Sequence, residues 1–156
     1  MEETFAKYIN VNGELMDLSR PQVMGILNVT PDSFYADSRK QAEEDIINRV
    51  HQIIEEGGRI IDIGAYSSRQ DAEDVSPEEE MQRLKHGLQV IRREFPDAIV
   101  SVDTFRADVA RMCVEEYGTA IINDISAGDL DANMFSTVAK LKVPYIMMHM
   151  QGNPQN

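Results

Sequence analysis

Alternating apolar and polar positions open the chain. Lys7 to Val11 and Glu14 to Leu18 each read as a short strand, and Asn12-Gly13 between them is a strong two-residue hairpin signal. After Arg20-Pro21 the pattern changes. Val23-Met24-Gly25-Ile26-Leu27 is apolar at every position, as a strand covered on both faces in a parallel sheet must be. Four further runs of this kind follow, Ile60 to Gly64, Ile99 to Asp103, Ala120 to Asp124 and Pro144 to Met148, each preceded by a segment of helical spacing.

In the first of those segments Ala42, Ile46, Ile47, Val50, Ile53 and Ile54 fall on one stripe at the 3.6-residue period, and Gly57-Gly58 supplies a left-handed stop. The second opens with Ser76 as N-cap, Pro77 in the first helical position and Glu79 placed for a capping box, then carries Met81, Leu84, Leu88 and Ile91. The third runs from about Arg106 to Tyr117 and stops at Gly118. The fourth carries Met134, Phe135, Val138 and Leu141 behind an acidic first turn at Asp129 and Asp131.

Strand starts near 24, 60, 99, 120 and 144 leave intervals of 36, 39, 21 and 24 residues, enough for parallel βαβ crossovers. The fold class is therefore α/β, read as one domain over residues 1–156. From the pattern alone, five strands are either a finished open sheet or part of an eight-stranded βα barrel, which needs roughly 250 residues.

Composition narrows the function. Fifteen basic and 27 acidic residues give a net charge of −12, which repels nucleic-acid backbones, although a few placed arginines can still bind a small phosphorylated ligand. The single cysteine, Cys113, excludes an internal disulfide, and neither a signal peptide nor an apolar run near the ~18 residues of a membrane span is present; the expectation is a cytoplasmic chain with no membrane partner. No dinucleotide, P-loop or zinc motif occurs.

Polar residues gather instead at the carboxyl ends of the strands, where parallel α/β proteins bind ligands: Asn28, Asp62 with Ser67-Ser68-Arg69, Asp103-Thr104, Asn123-Asp124 and His149. Capping of turns explains any one of them; all five strand ends together point to a site. His51 and His86 read as helix-flank residues, and most of the nine methionines as core filler. Met148, at the binding edge, offers a thioether surface suited to a planar ring.

The segment Met24-Gly25-Ile26-Leu27-Asn28-Val29-Thr30-Pro31-Asp32-Ser33-Phe34 closely resembles the first signature of dihydropteroate synthase. The resemblance continues through Ile60-Ile61-Asp62-Ile63-Gly64, Ser101-Val102-Asp103-Thr104, Ile121-Ile122-Asn123-Asp124-Ile125 and Met148-His149-Met150-Gln151-Gly152-Asn153-Pro154. It implies a TIM (β/α)8 barrel, of which this chain carries about the first five βα units behind a short hairpin, truncated at the C-terminus. It also implies condensation of a pterin methyl diphosphate with p-aminobenzoate to give dihydropteroate and diphosphate, the step that sulfonamides mimic their way into.

By resemblance, Asp103 and Asn123 hold the pterin ring with Ile125 and Met148 packed on it. Asn28 meets magnesium (Mg2+) and the diphosphate, Ser68 and Arg69 form the diphosphate-side loop, and Asp32, Phe34 and Arg69 serve the catalytic loops around p-aminobenzoate. The family usually has a proline where Gln70 stands and an aspartate two residues after the phenylalanine, where Ala36 stands. The segments that normally follow, with a further pterin aspartate, a lysine and an Arg-x-His site, are not in these 156 residues. The expectation is a homodimeric parent and an inactive isolated piece; the rival readings are a pterin-binding methyltransferase domain and a non-catalytic fragment.

Overall fold

Asn12 and Gly13 both take positive φ (52° and 85°), the backbone that a tight hairpin turn between right-twisted strands demands. They join β1 (Tyr8–Val11) to β2 (Glu14–Asp17) in an antiparallel pair with Ile9 opposite Met16 and Val11 opposite Glu14. Asn10 Oδ1 accepts from the Gly13 amide at 2.8 Å and steadies the turn. The hairpin is the opening feature of a computed structural model that describes residues 7–29, 36–65 and 75–149.

The remaining elements alternate: β3 (Met24–Asn28), α1 (Ala36–Glu55), β4 (Ile60–Gly64), α2 (Pro77–Glu94), β5 (Ile99–Asp103), α3 (Ala107–Tyr117), β6 (Ile121–Asp124), α4 (Met134–Leu141) and β7 (Tyr145–Met147). Strands β3 to β7 form one five-stranded parallel sheet in chain order, β3-β4-β5-β6-β7. Because the order never reverses, the crossovers all lay their helices on the same side, the winding of a barrel rather than of a doubly wound sheet.

Alternation along each strand separates the two faces. Leu27, Ile61, Ile63, Val100, Val102 and Ile122 point under the helices, where they meet Ile46, Val50 and Ile53 of α1, Leu84, Leu88 and Ile91 of α2, Val109, Ala110 and Cys113 of α3, and Met134 and Val138 of α4. On the opposite, interior face, Ile60 and Ile121 pack with Val11 and Met16 of the hairpin, which closes the amino end of the sheet. Higher on that face Ile26 and Ile146 are 58% and 39% exposed.

Most predicted boundaries hold, and the exceptions have local causes. Ser76 caps α2 through its hydroxyl on the Glu79 amide (3.2 Å), but the Glu79 carboxylate turns to Arg83 instead of closing a capping box. Asp129 and Asp131 precede α4, which begins at Met134 behind Asn133. Asp131 accepts from the amides of Asn133 (2.9 Å) and Ala107 (2.8 Å), so it caps the start of α3 from a distant loop. The end of α3 runs into Gly118 in the left-handed region, and Arg92 takes the carbonyls of Tyr117 (2.7 Å) and Gly118 (3.0 Å). Ile54 and Phe135, expected on apolar stripes, are exposed, Phe135 standing edge-on to Tyr145.

Candidate functional site

Parallel register brings the strand-end residues into one line across the interior face. Asn28 pairs with Gly64, Gly64 with Asp103, Asp103 with Asn123, and Asn123 with Ile146, one residue from each strand. Gly64 is the gap in this row. A methyl placed on it would lie 3.5 Å from Asn28 Oδ1 and 3.7 Å from Asp103 Oδ2, so the carboxamide and the carboxyl flank a space that only backbone occupies. Asn28, Asp103 and Asn123 thus share one face of the sheet, in one line across it.

One step deeper lie Asp62 and Ser101, in register with each other on β4 and β5. Asn123 Nδ2 donates to Asp62 Oδ2 at 3.1 Å, reaching across the intervening strand. Asp62 is buried, and its pKa is raised by that burial, with the Ser101 hydroxyl and the Asn123 amide pulling the other way. Its second oxygen, Oδ1, and the Ser101 hydroxyl make no hydrogen bond of good geometry.

Asp103 is pushed up to about 7, first by burial and then by the negative charges of Asp62, Glu80 and Asp124. Among the described residues no donor meets its carboxyl. Near neutral pH it therefore passes between an acid that can donate and a carboxylate that can only accept, beside an amide that does both. A flat heterocycle edged with N–H donors and nitrogen acceptors suits such a row. Beyond it, Met148 donates its amide to the Asp124 carbonyl at 3.0 Å and is 46% exposed, whereas Ile125 is buried at the start of the β6 loop.

Two of the strand-end polar residues do other work. Asp124 points to the helix side, where it accepts from the Ser126 amide (2.9 Å) and hydroxyl (2.8 Å), the Gly128 amide (2.9 Å) and the Tyr145 hydroxyl (2.5 Å). It is the organiser of the β6 loop. Thr104 turns its hydroxyl to Glu80 Oε2 at 2.9 Å. His149 is exposed. Asp32, Phe34, Ser68 and Arg69 lie outside the described residues.

Sequence reasoning misses Glu80. It sits in the run Glu78-Glu79-Glu80 that reads as a solvated first turn, yet it is fully buried, bonded to Thr104 and to Arg106 Nη1 (2.9 Å). Arg106 Nη2 in turn holds the Val75 carbonyl at 2.9 Å, and Arg83 Nη1 holds the Ala65 carbonyl at 2.9 Å. The chain on either side of residues 66–74 is thus held by two separate charged groups, Arg83 with Glu79 at Ala65 and Arg106 with Glu80 at Val75. The only sequence trace of Glu80 is its place four residues from the Ser76 cap.

Among the described residues no group of three or more His, Cys, Asp or Glu side chains could cage a metal. Magnesium is also commonly held by one or two protein oxygens, with substrate phosphate oxygens and water completing its octahedron. Asn28, exposed at the end of β3, offers such an oxygen.

A family model described as "Pterin binding enzyme" matches residues 24–156. The chain is 42% identical over 156 residues to the mitochondrial folate synthesis bifunctional protein of Arabidopsis thaliana, covering 98% of this chain and 28% of that one. It is 41% identical over 144 residues to dihydropteroate synthase of Haemophilus influenzae, covering 92% and 51%. The solved structure of Xanthomonas albilineans dihydropteroate synthase with 4-aminobenzoic acid matches with a TM-score of 0.79 and 35% identity, over 95% of this chain and 53% of that one. The chain thus spans about half or less of the length of these relatives. The expected α/β barrel fold class is correct: the described residues supply five parallel strands and the four helices between them.

Proposed function

The chain belongs to the pterin binding enzyme family, and from that premise we propose that it is the pterin-handling part of a dihydropteroate synthase. The reaction joins the exocyclic methylene carbon of 6-hydroxymethyl-7,8-dihydropterin diphosphate to the amine of p-aminobenzoate. The amine nitrogen forms the new bond, the carbon–oxygen bond to diphosphate breaks, diphosphate leaves with the bonding pair, and the amine gives up a proton. The observation that carries the reading is the row Asn28, Gly64, Asp103 and Asn123, which offers a carboxamide, a gap, a poised carboxyl and an amide on one open face.

In this reading Asp103 and Asn123 grip the polar edge of the ring and Met148 and Ile125 lie against its plane. Asn28, at the outer end of the row, turns its oxygen to the diphosphate side. Asn28 is the residue that would hold magnesium there, and the ion would supply positive charge to the leaving group. Ser68 and Arg69 belong to the same end by resemblance, Arg69 adding a forked cationic donor suited to diphosphate oxygens. Asp32 and Phe34 belong to the p-aminobenzoate side. No strong base is required, because the electron-rich ring bears the charge that develops as diphosphate departs.

The proposal extends to a cytoplasmic location and a homodimeric parent. The first is supported by the single cysteine, which can close no internal disulfide, and the second by resemblance alone; some relatives, such as that of Arabidopsis thaliana, are named mitochondrial. Calorimetric titration with the pterin diphosphate and magnesium tests the site. Wild type binds, and Asp103→Asn weakens binding roughly 10- to 150-fold, the span of a hydrogen bond to a charged group. Equal affinity in the two proteins would refute the assignment. Turnover is expected to require the remaining half that the longer synthases possess, so a rate from the 156 residues alone would contradict that part.

A further inference from the structure

A terminal amide reads the same in outline whichever way it is turned, so an asparagine in a binding row is an acceptor or a donor only as its neighbours dictate. For Asn123 the dictating neighbour is Asp62. The Asp62 carboxyl is buried on β4, and its Oδ2 accepts from Asn123 Nδ2 at 3.1 Å across the serine of β5. With the Asp62 carboxyl ionised, turning the amide over would set Asn123 Oδ1 against Oδ2, two acceptors face to face. The observed setting leaves Asn123 Oδ1 on the side away from Asp62, and among the described residues no donor meets it.

We propose that Asp62 is a positioning residue that locks Asn123 as a hydrogen-bond acceptor toward the ligand and thereby selects rings with an amino donor on that edge. Asp62 itself stays beneath the row. Its second oxygen and the Ser101 hydroxyl make no hydrogen bond of good geometry, so the one well-formed bond on Asp62 is that from Asn123, and the lock is open to a single isosteric change. In Asp62→Asn the new amide can accept from Asn123 Nδ2 or donate to Asn123 Oδ1, and both settings of Asn123 become available with no change in volume.

The choice of probe rests on the pterin reading; the positioning itself does not. Two measurements therefore accompany the variant. In the first, the side-chain amide of Asn123 is followed in the 1H–15N spectrum, assigned by its disappearance in Asn123→Asp. The two hydrogens are expected to be well separated in the wild type, and in Asp62→Asn the pair broadens or moves toward the free-amide position. An unmoved pair overturns the positioning role.

In the second, affinities are compared for 6-hydroxymethylpterin, with an amino group at position 2, and its 2-oxo counterpart, 6-hydroxymethyllumazine. The wild type prefers the amino compound, and the ratio of the two affinities shrinks about 10-fold in Asp62→Asn, the worth of one such bond. A general loss with an unchanged ratio overturns the selection of an amino donor. A moved amide signal with no binding of either ring leaves the lock standing and overturns the pterin reading.

Discussion

Gly64→Ala separates what the fold needs from what the site needs. Gly64 ends β4 inside the row, flanked by Asn28 and Asp103, and its φ is not in the left-handed region, so alanine meets no backbone strain. The added methyl would stand 3.5 Å from Asn28 Oδ1 and 3.7 Å from Asp103 Cβ, ordinary contact distances that require no neighbour to move. Stability is then expected to rise slightly, by about 0.4–1 kcal/mol, because alanine leaves the unfolded chain less freedom to lose. Ligand binding should suffer, since the methyl fills the space over which the ring and its diphosphate arm must pass. A misfit of one carbon in a shaped pocket costs about 1–3 kcal/mol, or roughly 10- to 200-fold in affinity. Urea denaturation and calorimetric titration read the two effects on one preparation. Gly87→Ala is the contrasting case: its methyl would fall 2.6 Å from Ile63 Cδ1 and 2.9 Å from Val29 Cγ2, so it should lose about 1–3 kcal/mol of stability. Pterin diphosphate affinity within threefold of wild type for Gly64→Ala would show that the ligand does not lie over the row.

Asp103 carries a pH signature. Its carboxyl ionises near the ordinary 3.8 in the unfolded chain and only at about 7 in the fold, so the folded state keeps an extra proton between those values. Its contribution is complete below pH 3.8 and is lost as pH rises to about 7, at most ~1.4 kcal/mol per pH unit. Urea midpoints from pH 4 to 8 should fall less steeply in Asp103→Asn than in wild type; parallel curves would reject the raised pKa. Glu80→Ala leaves Arg106 and Thr104 without their buried partner and should cost ~3–5 kcal/mol, toward the lower end because the Arg106 side chain stays 23% exposed. Chemical denaturation measures it, and a loss under ~1 kcal/mol would contradict the buried cluster. Tyr145→Phe removes the 2.5 Å bond to Asp124 and should lower stability by about 1.5–3 kcal/mol in the same assay, leaving the pterin affinity unchanged.

Periodic burial explains what could be read in advance. Ile46, Val50 and Ile53, and Leu84, Leu88 and Ile91, recur at helical spacing because one face of each helix must meet the sheet, and the structure buries all six. The same in-and-out alternation makes Asn28, Asp103 and Asn123 legible as companions on one face. What escaped depends on partners distant in the chain. Glu80 looks like its solvated neighbours until Thr104 and Arg106, more than twenty residues away, close over it. Asp131 reads as the acid of its own helix, yet it caps α3, 24 residues back. Asp124 and Asn123 are adjacent and equally polar, but opposite faces give one to the loop and the other to the site.

The uninterrupted strand order also sets how the molecule can be assembled in time. Each new strand of the sheet pairs with the one before it, so it never has to find a partner more than about 40 residues back. Loop-closure entropy is therefore met in small, similar instalments, and no late segment must thread between two strands already joined. During synthesis, a strand leaving the ribosome finds its neighbour already in place and presents the next edge for pairing. Growth of this kind is directional: β3 is the starting edge, and each later strand extends the sheet away from it.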